Sequence, residues 1–131
     1  MKIEKYASGV EWEAIVGYSR AVRLGDMIEV SGTVATNSSG QLIGVGDPYQ
    51  QTIQAIKNIQ IALQHFNADL HNVYRTRIYV TNMDHWQEIG KAHNKFFADI
   101  RPVTTMLQIS RFISSDMLVE IEAQARAAAT S

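Results

Sequence analysis

Glu120 and Glu122, in the run LVEIEAQA, are the residues whose type and spacing most directly suggest chemistry. Two carboxylates two positions apart on a strand point the same way, with side chains about 7 Å apart. Such a pair divides into acid and base when its surroundings separate the two pKa values. The plainer reading is that alternating glutamates solubilise a strand face or pair with arginines. Other chemistries find less support. The chain has no cysteine, hence neither a disulfide framework nor a thiol nucleophile. His65, His71, His85 and His93 lack metal-ligand spacing and form no HExxH-type pair, so neither a metal nor a cofactor is expected. His93, on an apolar stripe, reads as a core or interface histidine. The serines lack the glycines of a nucleophile elbow, and Gly40, Gly44 and Gly46 do not join a strand to a helix as a phosphate-cradling loop must.

Strands have to hold those carboxylates. Residues 101–127, RPVTTMLQISRFISSDMLVEIEAQARA, alternate with period two. Val103, Thr105, Leu107 and Ile109 fall on one side, and Thr104, Met106, Gln108 and Ser110 on the other. Val119, Ile121, Ala123 and Ala125 alternate in turn with Leu118, Glu120, Glu122 and Gln124. With Ser114, Ser115 and Asp116 as turn residues between them, the two runs read as a hairpin with one apolar and one polar face.

Upstream, Lys2 to Tyr6 suits a short strand. Ser19 to Leu24 and Met27 to Ala35 suit two more, joined at Gly25-Asp26. In the second, Ile28, Val30, Gly32 and Val34 should face one way, and Glu29, Ser31 and Thr33 the other. Thr36 to Gly46 reads as a loop. Asp47-Pro48 announces a helix with Ile53, Ile56, Ile59, Leu63 and Phe66 as its stripe, ending near Asn67. Val73 to Thr81 alternates again, with Arg75, Arg77 and Tyr79 opposite Tyr74, Thr76, Ile78 and Val80. A second helix starts near Asp84, buries Trp86, Ile89, His93, Phe96 or Phe97, and Ile100, and stops at Arg101-Pro102.

The pattern predicts a single α+β domain over residues 1–131: a mixed six-stranded sheet with two helices on one face. The other face would carry Glu29, Thr33, Arg75, Arg77, Met106, Gln108, Glu120 and Glu122, a mixture that reads as solvated. Hydrophobic content of 46% and charged content of 19% belong to an ordinary globular chain. Lys and Arg number 12 against 13 Asp and Glu, a formal net charge of -1, so no positive field draws in nucleic acid. No apolar run has the length of a signal-peptide core or a bilayer span, and a cytoplasmic location is expected with no membrane partner.

LVEIEA, the proline-led strand before it, VGYSRAV at Val16 to Val22 and VSGTVA at Val30 to Ala35 together resemble the RidA (YjgF/YER057c/UK114) family over nearly the whole chain. That resemblance implies a homotrimer with small-molecule clefts between neighbouring subunits. It also implies that Glu120 holds a hydrolytic water, that Tyr18 walls the ligand, and that the backbone at Gly32 hydrogen-bonds it. Read without it, Tyr18 is a half-buried aromatic and Gly32 relieves crowding. The departure is at Thr104, which stands where the family's imine deaminases carry the arginine whose fork binds a substrate carboxylate. A threonine hydroxyl forfeits a charge-assisted bond of about 1.5–3 kcal/mol. Met106 stands where many members have cysteine, and Gly90 and His93 where asparagine and tyrosine are frequent.

Arg23, Arg77, Arg101 and Arg111 are candidates to replace the fork, each with a salt bridge as its plainer role; Arg77 paired with Glu120 would occupy the proposed base. The resemblance therefore implies a trimeric small-molecule-binding protein that does not deaminate standard 2-imino acids, or alternatively an imine or enamine hydrolase that releases ammonia through Glu120. A ribonuclease or translation inhibitor is a third reading. The net charge and the lack of a paired-histidine centre argue against it.

Overall fold

The computed structural model describes residues 2–128. Six strands, β1 (Ile3–Tyr6), β2 (Ala21–Leu24), β3 (Met27–Thr33), β4 (Val73–Val80), β5 (Val103–Gln108) and β6 (Val119–Arg126), form one sheet in the order β1-β2-β3-β6-β4-β5. All neighbours are antiparallel except β4 and β5, which are parallel. Gly25, with φ of 63°, supplies the left-handed residue of the β2–β3 turn.

Among the described residues three helices accompany the sheet: α1 (Glu11–Val16), α2 (Pro48–His65) and α3 (Trp86–Phe97). Asp47 caps α2, its side chain accepting from the Gln50 N–H at 3.1 Å, with Pro48 in the first turn. Ile53, Ile56, Ile59 and Leu63 of α2 are buried together with Ile28, Val30, Ile78, Val80, Val119, Ile121 and Ile89. Those residues are the core, between the α2–α3 layer and one face of the sheet. No helix among the described residues is long and apolar enough to cross a membrane.

Several expectations need correction. The last two runs are strands but not a hairpin, because β6 inserts between β3 and β4 while β5 lies outside β4. Parallel pairing with β4 also fixes the facing of β5. Thr104 is opposite Thr76 and Met106 opposite Ile78, so both are on the helix side, and Met106 packs against the core. On this edge strand each residue set mixes apolar and polar side chains, so alternation alone could not set the phase. A break in register between Val30 and Thr33 likewise reverses the end of β3: Thr33 pairs with Ile121 and is buried, while Gly32 turns toward Glu120. A 3-10 turn, Met83–His85, precedes α3, and Trp86 at the head of that helix is 54% exposed instead of buried. The short helix α1 was not anticipated, for its N-cap, Val10, makes no side-chain capping bond.

Candidate functional site

Glu120 leaves β6 on the face opposite the helices, across from Tyr79 of β4. Its carboxyl group lies over β3 at Gly32: a Cβ added there would stand 2.6 Å from the Glu120 Cδ and Oε1. Only glycine lets the carboxylate approach the backbone this closely. Around it is a pocket of about 290 Å³, walled by Trp12 and Val16 of α1, by Tyr18, and by Phe112, Ile113 and Met117 of the loop before β6. Burial in this apolar setting pushes the Glu120 carboxyl above the ordinary carboxylate range; Arg20 pulls it back down and Glu122 pushes it further up.

Tyr18, Gly32 and Glu120 are thus brought together. Glu122 is engaged otherwise, accepting from the Tyr79 hydroxyl at 2.5 Å and from Arg77 Nη1 at 3.5 Å. Arg77 therefore pairs with Glu122 and leaves the Glu120 carboxylate unclaimed.

Arg20, which lines the pocket, belongs to a buried ion pair that the sequence alone did not suggest. Arg20 Nε is 3.2 Å from Glu13 Oε2, and both side chains are almost fully enclosed. The Arg20 fork also donates to the Gly32 carbonyl, to Thr33 Oγ1 at 3.3 Å and to the Tyr18 hydroxyl at 3.2 Å. Glu13 accepts in addition from the backbone N–H and the hydroxyl of Ser8. The signal was present in VEWEAIVGYSRAV, where a short helix closing at Gly17 places an acid seven residues before an arginine.

Thr104 and Met106 do not reach this pocket within one chain. Thr104 borders a groove of about 360 Å³ on the helix side, with Gly90, His93, Asn94, Arg101 and Pro102. Its hydroxyl is 2.7 Å from the Thr76 hydroxyl, itself 3.0 Å from His93 Nε2. Burial pushes His93 down to about 4, so the imidazole is neutral at pH 7 and closes this chain of hydroxyls as an uncharged partner.

A family model described as endoribonuclease L-PSP matches residues 9–127. A solved structure from Mycobacterium tuberculosis, described as a member of the YjgF/YER057c/UK114 family, is 42% identical and superposes with a TM-score of 0.87 over 96% of this chain and 100% of that one. This chain belongs to the RidA family. Among its RidA-family relatives, an uncharacterized protein of Streptomyces coelicolor is 37% identical over 94% of this chain and 91% of its own length. A mouse protein named 2-iminobutanoate/2-iminopropanoate deaminase is 30% identical over 92% of this chain and 90% of its own.

Within this RidA fold the other arginines are distributed as follows. Arg23 is buried and donates to the carbonyls of Gly25, Phe66 and Ala128, a structural role. Arg111 is exposed in the loop before β6. Arg101 ends the α3 segment in the left-handed region, with φ of 53° and its N–H bonded to the Phe97 carbonyl at 2.8 Å, and borders the Thr104 groove.

Proposed function

We propose that this RidA-family protein binds a small neutral or amine-bearing molecule in clefts between the subunits of a homotrimer, and that it does not deaminate standard 2-imino acids. One observation carries the reading. The guanidinium beside Glu120 is already spent on Glu13, Tyr18, Gly32 and Thr33, and among the described residues no other cation of the same chain lines that pocket to receive a ligand carboxylate. Within one chain the Glu120 pocket and Thr104 lie on opposite faces of the sheet, so a ligand bonded to both needs Thr104 from a second copy. Exposed Val103 and Leu107 of β5, Ile15 and Val16 of α1, and Ile113 give such a copy apolar surface to cover. A net charge of -1 speaks against nucleic acid as a partner, and a chain without cysteine suits the cytoplasm.

The alternative, hydrolysis of an imine or enamine by water held on Glu120, is favoured by the name of the mouse relative and by the upward push that burial gives the Glu120 carboxyl, the direction that strengthens a general base. One experiment separates the two. Short-lived 2-imino acids are generated in situ with semicarbazide as trap, and keto-acid release is compared for wild type, Glu120→Ala and Thr104→Arg. The binding reading expects an inert wild type and a gain of activity in Thr104→Arg. An active wild type with an inactive Glu120→Ala would overturn it in favour of a working deaminase.

A further inference from the structure

Arg20 sits where three parts of the Glu120 pocket meet. Its Nε pairs with Glu13 of α1, its Nη1 holds β3 through the Gly32 carbonyl and Thr33 Oγ1, and its Nη2 reaches the Tyr18 hydroxyl, with the guanidinium 5.5 Å from the centre of that ring. A buried ion pair of this kind contributes little to stability compared with well-packed apolar residues. Its placement behind the wall that Arg20 contributes to the pocket is therefore better explained by what it arranges. The carboxylate of Glu120 rests on the same Gly32 whose carbonyl Arg20 holds.

Few charges face Glu120. Glu122 neighbours it on β6 but is engaged by Arg77 and Tyr79, Tyr79 stands across from it on β4, and Tyr18 precedes β2. The α1 helix and the loop before β6 present Trp12, Val16, Phe112, Ile113 and Met117, none of them ionisable. Among the described residues that line the pocket, Arg20 supplies the positive charge.

We propose that Arg20 is a positioning residue of this pocket: clamped by Glu13, its fork fixes the Tyr18 hydroxyl and the Gly32 backbone on which the Glu120 carboxylate rests, and places a positive charge in the same pocket as Glu120. The proposal rests on the Glu120 pocket being the ligand site, but its test needs no ligand. Carboxyl carbon-13 NMR of ligand-free protein follows the titration of Glu120, assigned by difference with Glu120→Gln, in wild type, Arg20→Lys and Glu13→Gln/Arg20→Gln. The double variant removes both charges and leaves no lone buried ion.

The expected result is a Glu120 midpoint moved to higher pH in the double variant and close to wild type in Arg20→Lys, with Tyr18 ring and Gly32 amide resonances displaced in both. A midpoint unmoved in the double variant overturns the electrostatic part. Should the double variant not fold, Arg20→Lys decides alone: unmoved Tyr18 and Gly32 resonances overturn the positioning part, a Glu120 midpoint moved despite the retained charge overturns the electrostatic part, and displaced resonances with an unshifted Glu120 uphold the proposal. Keto-acid release by wild type leaves each of these outcomes unchanged, so the two readings fail separately.

Discussion

At the scale of single residues, the close approach of Glu120 to Gly32 sets a sharp expectation. In Gly32→Ala the new methyl displaces the far end of a flexible side chain and not backbone. The fold should be retained within about 1 kcal/mol, since alanine also restricts the unfolded chain, while ligand capture at Glu120 falls at least tenfold by calorimetry. His93 makes a second expectation. Its folded pKa of about 4 lies below the unfolded value, so the unfolded chain binds more protons between about pH 6.5 and 4 and stability declines as pH falls through that window. Denaturant melts should show a loss on the order of 2 kcal/mol across it, flattened in His93→Gln. The sequence displayed Glu120, Tyr18 and Gly32 in recognisable runs. Arg20 stood in the same run as Tyr18 and passed unread, because its importance lies in burial against Glu13, which no local pattern reports.

At the scale of elements, the loop carrying Phe112, Ile113 and Met117 is fastened by one buried amide. Gln51 of α2 donates to the carbonyls of Gly44 at 3.1 Å and Asp116 at 2.8 Å, and accepts from the Leu118 N–H at 2.9 Å. Gln51→Met keeps the volume but strands those groups; a loss of about 2–3 kcal/mol and faster deuterium exchange at Leu118 should follow, with the pocket wall loosened. The helix α2 was legible in the sequence down to its cap, since Asp47-Pro48 and a regular isoleucine stripe are local signals. The pairing of β5 and β6 was not, because adjacency in sequence suggests a hairpin while the choice of partner is made by the whole sheet. Likewise α1, six residues without a capping side chain, left no mark strong enough to read.

At the scale of the molecule, β5 forms one edge of the sheet with Val103 59% and Leu107 37% exposed on the open face. If copies associate there as proposed, sedimentation of wild type should report a trimer, and Val103→Lys with Leu107→Lys should release monomers that keep their circular dichroism. The two long helices and most of the strands could be read from periodicity, which left the strand count at five or six; the strand order could not, since it depends on contacts far apart along the chain. That order carries a consequence for how the protein comes into being. The strands β3 and β4 are joined only through β6, the last of the six to leave the ribosome, and Glu120 arrives on it. Without β6 the sheet is two separate pieces, β1-β2-β3 and β4-β5, and the strand that seals them together also delivers the carboxylate, so a chain in which β6 is not yet docked has no Glu120 pocket with which to meet a metabolite.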